Sequence, residues 1–476
     1  MAEKWRTEKK RPTIKVLPWP AIPTPTVDEV YAGVDEKRKE YSLWVESAVR
    51  QQFNADKPES LDGIRVLDMT TTMNIGHWCS SHFSELGAEV IMVEPPGGDP
   101  IRKLTPFGRE EYMFQALKNG EKVGARYLSE ARNKFSVTLN VETEEGRALL
   151  KKIIPQVDLL IENAPPGHYD KLGIGYRQLS EINPRLVYLW VGQRGQWGPL
   201  KDDPGNLDPT AQCSMGFTHG TGAPVSFGGT PTRSGWWLCD HVGGTFAAIG
   251  AMAALYAREK FLGKGQFVEC TAAEGVIRII DYNWAWQGMD GSIRPRYGNW
   301  DLAINIYAAN PCADGQIMVG GGHDRLWFRI WRTVGKDKPE LEQHICEDPK
   351  LRVVTDRLPH YMQVETYTTM CEWTKDKTRS QAEIALQEEE VASGGVSFLD
   401  EVCEFPHYKY RGHIEQIDDV NFGKVLIGAS GFIGMNTPGR IKWLGRMTGQ
   451  DNEDVYRRLA GLDRDGLKAY KKGGVI

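Results

Sequence analysis

The chain has 476 residues, 25% of them charged and 41% hydrophobic, which at roughly 100 to 200 residues per domain gives two to four domains with ample core. Its 58 Lys and Arg stand against 63 Asp and Glu, a net charge of -5. No basic excess is there to hold a phosphate backbone, so nucleic acid is excluded as an expected partner.

The opening MAEKWRTEKKRPTIKV is too charged for a signal peptide, and no apolar run reaches the roughly 18 residues of a membrane span. A soluble, cytoplasmic protein with no membrane partner is expected. Eight cysteines occur without a CxxC pair, so neither a disulfide framework nor a zinc ribbon is signalled. The ten histidines form no HExxH, and His77 and His82 are five apart, off one helical face, so no metal is expected.

Residues 1–60 read as an N-terminal extension, rich in Lys, Glu and Pro, with one amphipathic stretch, EKRKEYSLWVESAVRQQF, and with Trp5, Trp19 and Trp44 available to pack on a folded body. From residue 61 short β-branched runs alternate with helical segments: IRVLDM (64–69), a helix near 77–86, EVIMVE (89–94), FSVTLNV (135–141), a helix over 143–154, DLLIEN (158–163), a helix near 176–182 and LVYLWVG (186–192). Nearly continuous apolar strands alternating with helices predict a mostly parallel sheet covered on both faces. The stretch HVGGTFAAIGAMAALYA (241–257) reads as a buried helix whose small residues let other backbones approach. Beyond it come a strand in GKGQFVECTAAEG, a hairpin in CADGQIMVGGG (312–322), helices near 323–334 and 380–391, and a closing helix near 453–461. The expected division is a large domain over 61–260 completed by 440–476, a linker over 261–300 and a small domain over 301–430.

Two loops, EPPGGDP (94–100) and ENAPPG (162–167), follow strands and so lie at the carboxyl edge, where open α/β sheets bind ligands. No GxGxxG opens a helix after the first strand, no Walker A motif appears, and GxSxG is missing, which removes the dinucleotide, P-loop and serine-hydrolase readings. In GWWLCDHVGG, Asp240 directly precedes the apolar helix. Two readings stay open for it: an N-cap, or a carboxylate held ionised by the helix N-terminus and desolvated by Trp236 and Trp237, as a nucleophile requires. Trp236, Trp237 and Trp300 are candidate walls of an apolar acyl pocket.

Taken together, LDGIRVLDMT, LGAEVIMVEPPGGDP, RNKFSVTLNVETEEGRALL, DLLIENAPPGHYDKLGIGYRQLSEINPRLVYL, AQCSMG, LCDHVGGTFAAIGAMAALYAREK and the closing GGVI resemble the family III CoA-transferases, or CaiB/BaiF family, from about Leu61 to Ile476. The resemblance implies a Rossmann-like α/β large domain plus a small α+β domain. It also implies an interlocked, ring-like dimer, either of identical chains or with a homologous subunit. Coenzyme A is implied as a cosubstrate carried in as acyl-CoA, with no permanently bound cofactor. The family's nucleophilic aspartate falls on Asp240. Its CoA contacts fall on Met73, Asn74, Pro95, Leu139, Asn140, Val141, Glu142, Asn163, Ala164, Pro165, Lys171, Gly205, Asn206, Leu207 and Asp208. Met73, Pro95 and Glu142 depart from the transferase pattern.

The implied reaction moves CoA from a donor of succinyl-CoA or acetyl-CoA type to a carboxylic acid, through an aspartyl anhydride and an aspartyl-CoA thioester. The aromatic cluster suggests a bulky, aromatic or alicyclic acid, with Arg233, Arg278, Arg294 and Arg296 as candidates for a second carboxylate. An acyl-CoA racemase of the same fold needs a second base; the histidine that precedes the matched aspartate in racemases is Leu207 here. An accessory subunit of a heteromeric transferase is the non-enzymatic alternative, against which Asp240 speaks.

Overall fold

The computed structural model describes residues 15–16, 24–50, 57–72, 74–203 and 207–476, with Val16 and Asn74 described by backbone alone. It divides into two compact units: Met1–Met215, Gly235–Asp281 and Cys403–Ile476 form one, Gly216–Ser234 and Tyr282–Val402 the other.

The first unit is built on strands β1 (Arg65–Asp68), β2 (Glu89–Glu94), β3 (Phe135–Thr138), β4 (Leu159–Glu162), β5 (Val187–Gly192) and β6 (Phe267–Thr271). Among the described residues they form one parallel sheet in the order β3-β2-β1-β4-β5-β6. Val66 of β1 lies opposite Val90 of β2 and Leu159 of β4. All of β3, β4 and β5 is buried, as strands covered on both faces must be. The strand order reverses between β1 and β4, so a ligand crevice is expected beyond their carboxyl ends.

Five helices of this unit position the site: α1 (Asn74–Glu85), α2 (Ala125–Glu130), α3 (Asp208–Ser214), α4 (Leu238–Ala257) and α5 (Ala272–Ile279). The expected helix over 143–154 spans Glu144–Ile153; the Thr143 hydroxyl caps it, and Leu149, Leu150 and Ile153 enter the sheet's core.

The second unit has its own core, in which Trp327, Ile330, Trp331, Val334, Trp373 and Leu386 pack beneath an antiparallel sheet. That sheet runs β7 (Tyr307–Cys312), β8 (Gly315–Gly320) and β9 (Ala392–Gly395).

The units are cut differently from the expected domains. Residues 403–430, expected in the small domain, belong to the first unit. They hold a hairpin of β10 (Ile414–Asp419) and β11 (Gly423–Gly428), whose Ile417, Val425 and Ile427, with Phe422, pack against Met92, Ile101, Tyr127 and Leu128. Residues 261–281, expected as linker, carry β6 and α5, while 216–234 go to the second unit. In the N-terminal extension the helix Glu36–Val49 buries none of its residues, and Trp44 is 58% exposed rather than packed. Polar contacts hold it: the Tyr410 hydroxyl donates to Glu46 (2.7 Å), and Arg50 donates to the Tyr410 carbonyl (3.0 Å). Trp5 and Trp19 lie outside the described residues.

Candidate active site

Helix α4 is apolar and carries glycines where its amino-terminal half meets its neighbours. A Cβ on Gly243 would come within 2.6 Å of the Ala272 backbone, and one on Gly244 within 2.6 Å of the Ile75 carbonyl. Only glycine allows these approaches, as the small residues predicted. The helix is nonetheless only half buried: Thr245, Ile249, Ala253 and Tyr256 face outward.

Asp240 is not the N-cap. The helix begins at Leu238, so Asp240 stands in its first turn, 4% exposed, where the helix dipole favours a negative charge. Another aspartate caps this turn from outside the helix. Asp208 Oδ2 accepts the Asp240 backbone N–H at 3.1 Å, and its Oδ1 accepts from Gln212 Nε2 at 2.6 Å. The Asp240 carboxylate instead accepts at Oδ1 from Gln193 Nε2, 2.6 Å away.

Two buried carboxylates thus lie close together with an amide between one of them and the sheet. Burial, followed by the charge of Asp208, pushes Asp240 up to about 7; the Gln193 amide and the Arg126 guanidinium pull the other way. Arg126, on α2, stacks over the Trp237 ring with its Cζ 4.3 Å from the centroid. Burial lowers its own pKa against the opposing charges of Glu130, Asp240 and Asp208. Burial also raises Glu130, a residue of the same helix. Gln193, Arg126 and Glu130 carry no sequence motif. The one signal for Gln193 is its position, a polar residue directly after an all-apolar strand at the sheet's carboxyl edge.

Of the expected CoA contacts, Pro95, Leu139 to Glu142 and Asn163 to Pro165 directly follow strands at that edge. Asn163, after β4, donates to the Thr71 carbonyl (2.8 Å) and accepts the Thr71 N–H (2.9 Å), closing the crevice between β1 and β4. Ala164 donates to Glu162 and accepts from the Trp190 indole, while Pro165 and Lys171 are exposed. Pro95 is exposed at the end of β2. Beyond β3, Leu139 turns its side chain into the core. Asn140 donates its N–H to the Val475 carbonyl, Val141 is half-buried, and exposed Glu142 meets His168 Nε2 at 2.8 Å. Leu207 is 58% exposed. Asn74 opens α1; Met73, Gly205 and Asn206 lie outside the described residues.

A second buried polar cluster holds the loop that leads from β1 to α1. Asp68 meets His77 Nδ1 at 3.1 Å and Lys134 Nζ at 3.2 Å, and all three are at most 1% exposed. Burial opposes the charged forms, but Lys134 and His77 hold Asp68 well below the usual carboxylate range, and Asp68 with Asp99 raises His77 to about 9. Asp99 accepts the N–H of Thr72, a residue in the left-handed region at φ 64, which a β-branched side chain rarely enters.

Trp236 is 66% and Trp237 46% exposed. Trp300 belongs to the second unit, where its ring lies 5.1 Å from Tyr367 and 5.6 Å from His360. In the first unit, Trp78 touches the ring of His241, the residue after Asp240, at 4.5 Å. Trp78 also lines a cleft of about 570 Å³ with His82, Phe114, Leu128, Arg132 and Phe432.

Comparison with known proteins follows the same lines. The family model of CoA-transferase family III matches residues 61–452. Succinyl-CoA–D-citramalate CoA-transferase of Chloroflexus aurantiacus is 32% identical over 423 residues, 88% of this chain and 98% of that protein. The beta subunit of succinyl-CoA–L-malate CoA-transferase from the same organism is 31% identical over 432 residues, 87% of this chain and 98% of the relative. Acetyl-CoA:oxalate CoA-transferase of Acetobacter aceti is 32% identical over 305 residues, 63% of this chain and 72% of the relative. Among solved structures, a CaiB/BaiF family protein from Brucella suis has the same fold, with a TM-score of 0.70 at 24% identity over 85% of this chain and 100% of that one.

Proposed function

The chain belongs to CoA-transferase family III, and from that premise we propose that Asp240 is the nucleophile that carries CoA from an acyl-CoA donor to a carboxylic acid. The observation that carries this reading is the buried Asp240 carboxylate, set in the first turn of α4 and held by Gln193. Its carboxylate attacks the thioester carbonyl of the donor, giving a mixed anhydride and CoA thiolate. The thiolate attacks the Asp240 carboxyl carbon, freeing the donor acid and leaving an aspartyl-CoA thioester. The acceptor carboxylate enters by the reverse sequence. Water would hydrolyse the anhydride, so low exposure at this position has a chemical purpose.

The donor is of succinyl-CoA or acetyl-CoA type, after the names of the relatives. CoA lies along the carboxyl edge, where Pro95, Leu139–Glu142 and Asn163–Pro165 follow their strands and Asn74 opens α1. The acceptor is a bulky, aromatic or alicyclic acid; the aromatic-lined cleft that Trp78 shares with the neighbourhood of His241 supports this. A second reading, a small dicarboxylate, is favoured by relatives named for citramalate, malate and oxalate and by the Arg126 guanidinium near Asp240. Comparing kcat/KM for benzoate and cyclohexanecarboxylate with that for malate and citramalate decides between them: at least a tenfold preference for the ring acids is expected, and the opposite preference rejects the bulky acceptor.

The assembly is a dimer, of identical chains or with a homologous subunit. The outward stripe of Ile249, Ala253 and Tyr256 on an otherwise apolar helix supports an interface. Light scattering of the purified chain checks this; a monomer that transfers CoA at full rate would reject it. Asp240→Ala tests the nucleophile itself: transfer falls by at least about a thousandfold with the fold kept, and a loss under tenfold removes its covalent role.

A further inference from the structure

Gln193 directly follows β5, and its backbone carbonyl accepts the N–H of Ala273 at 3.1 Å, which pins it to the first turn of α5. Its side chain is fully buried. In the 2.6 Å contact with Asp240 Oδ1, Gln193 Nε2 is the donor. An ionised carboxylate accepts but does not donate, so the amide nitrogen faces it. The contact is made to one carboxylate oxygen alone, and both partners are too enclosed to exchange it for water.

We propose that Gln193 is a catalytic residue: its side-chain amide holds Asp240 Oδ1 as the carbonyl oxygen of every covalent intermediate, so that only Oδ2 forms and breaks bonds. The proposal rests on the covalent role of Asp240. When Oδ2 attacks the donor, the new carbon–oxygen bond replaces the carbon–sulfur bond, and the electron pair leaves with the CoA thiolate. When the thiolate then attacks the Asp240 carboxyl carbon, negative charge develops on Oδ1, where the Gln193 N–H already points. Collapse of that adduct expels the donor acid together with the former Oδ2. The acceptor carboxylate attacks the same carbon, charge again rests on Oδ1, and the thiolate leaves. It then attacks the acceptor carbonyl, and Asp240 departs with an oxygen that came from the acceptor. Preorganised donors at the atom where charge develops are among the largest contributions an enzyme makes. In the resting state the same donor opposes the burial and the Asp208 charge that favour protonation of Asp240.

The oxygen bookkeeping makes the test. Exchange between succinyl-CoA and succinate, or acetyl-CoA and acetate, is run to many turnovers with the free acid labelled in its carboxylate by the heavy oxygen isotope. The Asp240 peptide is then weighed. The wild-type chain is expected to gain one heavy oxygen, because Oδ1 never leaves. Gln193→Leu is expected to lose about a hundredfold in rate and to gain two, since its carboxylate rotates freely. Two heavy oxygens in the wild-type chain overturn the proposal without reference to any variant. One in both chains overturns it as well, because something other than Gln193 then holds Oδ1. Exchange with no label in Asp240 removes the covalent reading itself, and absence of exchange with both pairs removes the transfer reading with these donors; either takes the proposal down by a different result.

Discussion

Two of the buried groups of charges in the first unit are built on opposite plans. Around Asp68 every charge meets its opposite: Lys134 and His77 on one carboxylate, with Asp99 on the far side of His77. Burial works against the charged forms of Asp68 and His77, yet the pairing wins and drives Asp68 down and His77 up. Around Asp240 the near neighbours of the carboxylate include a second carboxylate, Asp208, and burial wins, so Asp240 rises to about 7. The first plan fixes a loop and stays charged at neutral pH. The second leaves one carboxylate near its titration point beside the Gln193 amide, the environment expected of a group that reacts rather than holds.

The sharpest way to break this contrast is to empty each region in turn. Asp240→Ala is expected to abolish transfer with the melting temperature nearly unchanged. Lys134→Met should do the reverse in kind, leaving Asp68 with half its counter-charge and costing about 3–5 kcal/mol of stability in urea unfolding. An intact stability in Lys134→Met would mean that the cluster does not hold the fold.

Smaller effects come from pH. Asp240 is raised above its ordinary value of 3.8 to about 7, so it is protonated below about 7 and the nucleophile is lost as pH falls through that value. The kcat/KM profile is expected to drop about tenfold per pH unit on that acid limb. Asp208→Asn removes the repelling charge while keeping an oxygen to accept the Asp240 N–H, so the limb should move to lower pH; an unmoved limb would place its origin elsewhere. His77 acts on stability rather than on rate. Its pKa is raised from 6.5 to about 9, so its contribution is complete below 6.5 and is lost as pH rises through about 9. Urea midpoints measured across that window are expected to fall, and a flat response would separate His77 from the cluster.

The sheet was legible because its strands are apolar on both faces, and EVIMVE became β2 at the expected residues. Asp240 was singled out by the family resemblance, since a lone carboxylate at the start of an apolar helix reads first as a cap; the structure puts it in the first turn instead, because the helix already begins at Leu238. The hairpin of β10 and β11 was assigned to the wrong unit, since alternation along 414–428 says which face is apolar but not which core receives it. Gln193, Arg126 and Asp208 converge from three separate segments. Nothing local marks them as neighbours, and only the order of strands at the carboxyl edge brings them together.

The central claim is the covalent role of Asp240, and the most direct test is mass spectrometry of the chain incubated with succinyl-CoA or acetyl-CoA and trapped with hydroxylamine or borohydride. A mass change confined to the peptide that holds Asp240, and absent from Asp240→Ala, is the predicted result. Full transfer activity with that peptide unmodified would contradict it.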